Sequence, residues 1–153
     1  LVNGTLEGFL VSDAHALMGR FTCQRLFAIR QSFICSKPLL ERYGTVGDII
    51  AHSPFVTKSN SPAYAAKIRQ HCRHAFHQEF LSVHLCKTLS EQLLTVSLSQ
   101  GFAVLPIPES DAYPGLSVIP LGDDFTEHAV LAYRQDGMTD ELKKLLSLFA
   151  GMP

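Results

Sequence analysis

Apolar residues follow two patterns along this chain: short continuous runs, and longer stretches in which they recur every three or four positions. Runs of the first kind predict strands, and the one at 8–12 is typical of a strand covered on both faces. The runs are "GFLVS" (8–12), "RLFAIRQSFICS" (25–36), "PFVTK" (54–58), "FLSVHLC" (80–86), "FAVLPI" (102–107), "LSVIPL" (116–121) and "HAVLAYRQ" (128–135). The run at 25–36 predicts either one long strand or two strands with a break near Arg30–Gln31.

The second pattern predicts four helices, each opened by a capping residue. The predicted starts are Thr45, Asn60 or Ser61, Thr88 and Thr139. Gly101 is the expected C-terminal cap of the third helix. The predicted inward-facing positions are Tyr64, Ala65, Ile68, Cys72, Ala75 and Phe76 in the second helix, Leu89, Leu93, Val96 and additionally Leu94 in the third, and Leu142, Leu145, Leu146 and Phe149 in the fourth. By contrast, Pro38 and Gly44 in "KPLLERYG" (37–44) predict a turn and connector.

Strands and helices alternate through the middle of the chain. This order predicts crossover units with a largely parallel sheet, and therefore the α/β class. The chain has 153 residues, the length of one ordinary domain. It contains no internal repeat, low-complexity tract or linker.

Composition and charge narrow the class of protein. Apolar residues make up 46% of the chain and charged residues 18%, which is enough to form a core and argues against disorder. The formal net charge of −1 gives no indication of a nucleic acid or an anionic membrane as partner. The apolar runs are too short to span a bilayer, and no signal segment is recognisable at the start.

The four cysteines, Cys23, Cys35, Cys72 and Cys86, form no CxxC pair. This spacing excludes a zinc ribbon and a thioredoxin-type motif. All four lie in apolar stretches, which favours reduced, buried cysteines in a cytoplasmic protein.

Several segments occur in an order that is similar to one known family. "LVNGTLEGFLVS" (1–12) leads into a strand, and "SFICSKPLLERYGTVGDIIAHSPFVT" (32–57) combines a strand, a Pro-Leu turn, a short helix and a strand. "LLTVSLSQGFAVLPI" (93–107) is a helix, a glycine turn and a strand closed by Leu-Pro, and 115–149 supplies two strands and a helix. Together these segments resemble the effector-binding domain of LysR-type transcriptional regulators.

The resemblance implies a periplasmic-binding-protein-like fold of two small open-sheet subdomains, joined by crossing strands near 30–36 and 102–107. Subdomain one would comprise 1–34 and 107–153, and subdomain two 35–106. A small, possibly anionic, metabolite would bind in the cleft between them, without catalysis and without a cofactor. The family's winged helix-turn-helix and first strand–helix–strand unit would precede Leu1, so the chain is expected to be incomplete at its N-terminus.

Two departures and three partner expectations accompany the resemblance. Glu7 stands where the family usually has Asp, and Gly101 is followed by Phe102 where two glycines are usual. DNA would be bound only through the helix-turn-helix that this chain lacks. The full-length protein is expected to be a homo-oligomer, with the helix from Thr88 to Gln100 as one contact, and no membrane partner is expected.

The candidate effector-binding residues lie mainly where a predicted strand ends and a helix begins. Thr57, Lys58, Ser59 and Asn60 occupy this junction. Hydroxyls, an amide, a cation and the positive end of a helix dipole could hold a carboxylate there. The alternative is that the serines only cap the helix.

Two further candidates come from other segments. Ser12 ends the strand at 8–12 and would face the same cleft, although serine is also a common turn residue. Phe102 either narrows the pocket or packs in the core, and core packing is the more frequent role of a phenylalanine.

A histidine cluster offers the remaining chemistry. "RQHCRHAFH" (69–77) contains His71, Cys72, His74 and His77. His71 and His74 are three positions apart and could share an ion. Cys72 belongs to the apolar stripe, however, and the neighbouring arginines oppose a divalent cation. Solvated histidines near the helix end are therefore favoured over a metal site.

Two other functions remain open at this point. One is a solute-binding protein of the periplasmic receptor fold. The other is a zinc protein or an enzyme that uses a Cys–His pair, since such partners need only be close in space. No residue pattern in the sequence selects a particular pair.

Overall fold

The computed structural model describes residues 8–12, 22–108, 113–133 and 140–149, with side chains described for 23–108, 113–133 and 140–148. Contacts divide the chain into two compact units, one of residues 1–29 with 126–153 and one of residues 30–125. We call them unit one and unit two. The predicted division into 1–34 with 107–153 and 35–106 stays a prediction.

The described elements follow one another in this order: β1 (Gly8–Ser12), β2 (Thr22–Ile29), β3 (Ser32–Ser36), α1 (Lys37–Tyr43), α2 (Val46–His52), β4 (Phe55–Thr57), α3 (Pro62–Phe76), β5 (Val83–Leu85), α4 (Leu89–Ser97), β6 (Ala103–Leu105), β7 (Leu116–Pro120), a 3-10 turn (Asp123–Phe125), β8 (Glu127–Tyr133) and α5 (Asp140–Phe149). All seven predicted runs contain a strand, and the run at 25–36 contains two, separated at Arg30–Gln31. No helix in the described ranges is long and apolar enough to cross a membrane.

Unit one is an antiparallel sheet with one helix. Its strand order is β1-β8-β2. Leu142 of α5 is buried in a cluster with Leu26, Leu131 and Tyr133, so the helix covers the sheet through the stripe that the sequence predicted. Leu145 of the same stripe is exposed, and the side chain of Phe149 and the predicted cap Thr139 lie outside the described residues.

Unit two contains two small sheets. One is antiparallel with the order β6-β3-β7, and the other pairs β4 and β5 in parallel. A parallel bridge between Phe55 and Phe102 connects them. Its backbone hydrogen bonds run from Val56 N to Phe102 O, 2.8 Å, and from Phe102 N to Pro54 O, 3.1 Å.

The predicted parallel arrangement therefore holds only locally. β4, β5 and the start of β6 run in parallel around α3 and α4, but the other pairings in the described sheets are antiparallel. The expectation of a largely parallel sheet was wrong. The alternation of strands and helices along the chain indicates only how neighbouring elements are connected. β3, β7 and β8 pair with strands that are distant in sequence, and the alternation does not predict such pairings.

Side-chain caps define where three of the predicted helices begin. Thr45 Oγ1 accepts from Asp48 N at 3.2 Å, and Thr88 Oγ1 accepts from Glu91 N at 3.1 Å. Ser61, not Asn60, caps α3. Each hydroxyl satisfies a backbone donor that the helix itself leaves unpaired.

The segment 37–44 is a helix rather than the predicted connector. Ser36 Oγ accepts from Leu39 N at 3.1 Å, so a cap precedes Pro38. Proline is tolerated there because the first helical N–H has no partner in the helix. Gly44, with φ of 80°, ends the helix in the left-handed conformation, and its role is that of a C-terminal cap.

The inward face of α4 also differs from the prediction. Val96 is buried, but Leu89 and Leu94 are exposed. Gln92 and Thr95 occupy the buried face instead. Their burial is tolerated because Gln92 Nε2 donates to Val56 O and Thr95 Oγ1 donates to Glu91 O. In α3, Ile68 and Cys72 are buried as predicted, whereas Ala75 is exposed.

Gly101 allows the two sheets of unit two to approach. It has φ of 151°, and a Cβ there would lie 2.5 Å from Pro54 O and 2.6 Å from Val56 Cγ2. It is not the predicted C-terminal cap of α4: Ser99, with φ of 61°, adopts the left-handed conformation after that helix.

Gly101→Ala is expected to lower the free energy of unfolding by about 3 kcal/mol, because a backbone clash adds to backbone strain. The matched control is Gly115→Ala, since Gly115 has φ of 81° but no atom within 4 Å of a Cβ. That variant should lose only about 1 kcal/mol. Chemical denaturation measures both values, and equal losses would contradict the close approach at Gly101.

Candidate functional site

A pocket of about 340 Å³ lies in unit two at the carboxyl end of β4. It is lined by Thr57, Lys58, Ser59, Tyr64, Gln92, Val104 and Leu105. Val104 and Leu105 belong to β6, which starts parallel to β4. The pocket therefore occupies the place where open α/β sheets hold ligands, beyond the carboxyl ends of parallel strands.

Three hydroxyls form a chain of contacts that begins at the wall of this pocket and continues to the N-terminal cap of α3. Thr57 Oγ1 accepts from Ser59 N at 3.1 Å, and Ser59 Oγ accepts from Ser61 N at 3.2 Å. Ser61 Oγ in turn accepts from Tyr64 N at 3.2 Å. The alternative that serines cap the helix is thus confirmed for Ser61. Thr57 and Ser59 orient the turn before it.

These contacts determine which donors remain for a ligand. The N–H groups of Ser59, Ser61 and Tyr64 are used within the chain, so they do not bind an anion. Each hydroxyl, however, accepts through a lone pair and retains its own hydrogen as a donor. The site chemistry therefore comes from side chains, and the backbone of the helix N-terminus serves to hold them.

Lys58 provides the charge of the pocket. Its side chain is exposed at the pocket edge, and within the described ranges no carboxylate forms an ion pair with it. An ammonium group is a compact point charge with three donors. Together with the positive end of the α3 dipole, it favours an anionic group at this edge.

Gln92 is the site residue that the sequence reasoning missed. It extends from α4 and is only 3% exposed. Nε2 donates to Val56 O at 3.0 Å, whereas Oε1 is buried without a partner among the described residues. An unpaired buried acceptor costs about 1–3 kcal/mol. A glutamine four positions before Val96, on the buried face, was the available signal.

The other predicted site residues lie elsewhere. Asn60 is exposed and Phe102 is fully buried. Phe102 stacks on Phe33 with ring centroids 5.0 Å apart and contacts Phe55 and Phe80, so the core-packing alternative is the observed one. Ser12 ends β1 in unit one, and its side chain lies outside the described residues.

The histidine cluster divides as the helix period predicted. Cys72 is buried and His74 is exposed, and His77 ends α3 with φ of 58°. His74 Nδ1 lies 2.8 Å from Asp124 Oδ2, and the His71 ring lies 5.5 Å from that of Phe125. No group of three or more His, Cys, Asp or Glu residues in the described chain has the geometry of a metal site.

These histidines border a second pocket of about 560 Å³, which is larger than the one beside Thr57. Its lining is Gln70, His71, Arg73, His74, His77 and Asp124. It lies at the C-terminal end of α3, where the dipole disfavours an anion. His74 and Asp124 in its lining already pair with each other and are exposed to solvent. The larger volume alone therefore does not make this pocket the better candidate for a ligand site.

Burial makes two of the core cysteines poor nucleophiles. Burial raises the pKa of Cys35 to about 11 and that of Cys72 to about 12. Cys86 is also buried, Cys23 is half-buried, and all four are free thiols. The predicted burial thus holds for three of the four.

Comparison with known proteins identifies the fold. No protein-family model and no curated protein sequence matches the chain. CbnR, a LysR family transcriptional regulator, matches with a TM-score of 0.71 and 10% identity over 96% of this chain and 52% of CbnR. The chain therefore spans about half the length of CbnR.

Two regulatory domains match over more of their own length. The reduced OxyR2 domain from Vibrio vulnificus has a TM-score of 0.69 and 15% identity, covering 96% of this chain and 71% of that chain. The MetR domain from N. meningitidis has a TM-score of 0.68 and 14% identity, covering 97% and 71%. The chain thus has the α/β, periplasmic-binding-protein-like fold of LysR regulatory domains, as the sequence resemblance predicted.

Thiol labelling tests the buried state of the cysteines. At pH 8 a thiol with a pKa of about 11 is about one part in a thousand thiolate, the form that reacts. We expect an aromatic disulfide reagent to label only Cys23 rapidly in the folded protein, and all four cysteines in denaturant. Cys23→Ser should remove the fast phase. Rapid labelling of Cys35 or Cys72 without denaturant would refute their burial.

Proposed function

We propose that this chain is the effector-sensing domain of a LysR-type transcriptional regulator and that it binds a small anionic metabolite. The observation that carries the proposal is the pocket beyond β4, which combines Lys58 with the hydroxyls of Thr57 and Ser59. The fold supports the same function, because CbnR is a LysR family transcriptional regulator and MetR is a LysR family regulator. The proposed role is binding without catalysis.

The pocket chemistry matches a small carboxylate. Lys58 supplies a positive charge at the edge, Thr57 and Ser59 supply hydroxyl donors, and Val104 and Leu105 supply an apolar wall. A volume near 340 Å³ is at the lower end for small-molecule sites. Asn60 and Ser12 stay predictions as effector contacts, whereas Phe102 is buried in the core cluster and is not among the residues that line this pocket.

Binding would be coupled to the rest of a longer protein by a shift between conformations. A ligand shifts such an equilibrium only by the difference of its affinities for the two states. DNA contact would be made by a winged helix-turn-helix outside this chain, in a cytoplasmic protein. The net charge of −1 is consistent with a domain that does not itself bind DNA.

An apolar surface on unit two supports contact with a second copy of the chain. Its members are exposed leucines and a valine on and beside β5 and α4: Leu81, Val83, Leu85, Leu89, Leu94 and Leu98. β5 pairs with β4 on one side and is an edge strand among the described sheets. An exposed apolar edge invites pairing with another chain.

Lys58→Met tests the effector site. With a panel of small carboxylates, we expect a ligand at about one hundred times its Kd to raise Tm by about 5–10 °C. The variant should bind about tenfold or more weakly, because a charge-assisted hydrogen bond is lost. Lys144→Met, which removes an exposed lysine from α5, should bind normally. Unchanged affinity in Lys58→Met would reject this site.

Leu94→Glu tests the association surface. Leu94 is 59% exposed, so the substitution leaves the core intact but places a charge in the proposed contact. We expect sedimentation velocity to show a shift from dimer to monomer. Leu148→Glu alters a leucine of α5 that is 75% exposed and should leave association unchanged. Monomers in the unsubstituted chain at all concentrations would contradict this contact.

A further inference from the structure

Gln92 carries a hydrogen-bonding group that the chain leaves unused at the wall of the proposed effector pocket. The side chain is 3% exposed and lines the pocket. Its Nε2 donates to Val56 O at 3.0 Å. Its Oε1 is buried and has no partner among the described residues.

The chemistry of Val56 determines the orientation of this amide. A backbone carbonyl oxygen only accepts, so the group that faces it must be the NH₂ of Gln92. The other end is therefore the carbonyl oxygen, which is an acceptor and cannot donate. Whatever satisfies Oε1 must bring an N–H or an O–H group.

Within the described residues, the NH₂ end of the Gln92 amide has a structural role at Val56 O, whereas its carbonyl oxygen has none. Val96, one turn later on the same face of α4, is fully buried in an apolar cluster with Val56 and Ala103, and Leu93 packs against that cluster. A methionine at position 92 would match the length of glutamine and remove the unpaired Oε1, but it would also leave Val56 O without the donor that Gln92 supplies. Buried polar groups are normally paired, so an unpaired one beside a pocket indicates a partner that comes from outside the chain.

We propose that the pocket selects a small carboxylate that also carries a hydrogen-bond donor, a hydroxyl or an ammonium group, which Gln92 Oε1 accepts. Lys58 and the hydroxyls of Thr57 and Ser59 hold the carboxylate. The inference rests on the proposed function, since it assigns the ligand class of the same site. The ligand class is therefore hydroxy acids or amino acids of a few carbons, rather than simple carboxylates.

Four probes that share the same carbon skeleton separate the contribution of the carboxylate from that of the additional donor. They are propanoate, 2-hydroxypropanoate, 3-hydroxypropanoate and alanine. Isothermal titration calorimetry on the 153-residue chain gives the affinity of each. We expect at least one donor-bearing probe to bind about tenfold or more tightly than propanoate, because propanoate leaves the buried acceptor unpaired. The comparison within the unsubstituted protein requires no variant to fold.

Two variants then test which residue causes the preference for donor-bearing probes over propanoate. Gln92→Met should bind propanoate and its hydroxylated analogues with similar affinities, because the acceptor is gone. Lys58→Met should weaken all probes by a similar factor and keep their ratio. Gln100→Met, which changes an exposed glutamine beyond the same helix, is the matched control and should retain the preference. Circular dichroism and Tm establish that each variant is folded.

The outcomes separate this inference from the function on which it rests. If all four probes bind with equal affinity and Lys58→Met weakens their binding, the carboxylate site is supported but the role of Gln92 is overturned. A donor preference that persists in Gln92→Met would likewise overturn it. Binding of none of the probes would overturn both proposals. A donor preference that disappears only in Gln92→Met supports the inference.

Discussion

The close approach of Gly101–Phe102 to Pro54–Val56 is the constraint on which the rest of unit two depends. Two backbone hydrogen bonds join β4 to the start of β6 there, and the absence of a Cβ at Gly101 makes the distance possible. Phe102 then packs on Phe33, Phe55 and Phe80. The approach also places Val104 and Leu105 beside the end of β4, where they complete the wall of the pocket.

The same pairing explains why polar side chains gather at one edge. The turn after Thr57 has its backbone donors satisfied by its own hydroxyls, so it is held in one conformation before a ligand arrives. Gln92 is fixed from the other side by Val56 O. Preorganised groups of this kind bind without a large loss of conformational freedom. Unit two therefore combines a rigid polar pocket with an apolar outer surface on β5 and α4.

Local signals in the sequence predicted most elements, because caps, apolar periods and turn residues act over a few positions. They failed where one residue pattern is compatible with two structures. Pro38 and Gly44 are typical of a turn, but they also fit the first turn and the C-terminal cap of a short helix. Strand pairing could not be predicted, since β3 pairs with β6 and β7, from which at least four helices and two strands separate it in the sequence. Thr57, Lys58 and Ser59 were predictable from a strand–helix junction, whereas the sequence marks Gln92 only as a polar residue four positions before Val96, and the fold places it beside the pocket.

The proposed function requires that a ligand binds beyond the carboxyl ends of β4 and β6. A titration of ¹⁵N-labelled protein with 2-hydroxypropanoate, followed by amide chemical shifts, tests it most directly. We expect saturable shifts at Thr57–Ser59, at Val104–Leu105 and at the side-chain amide of Gln92. Shifts confined to His71, His74 and Asp124 at the opposite end of α3, or no saturable shift at all, would contradict it.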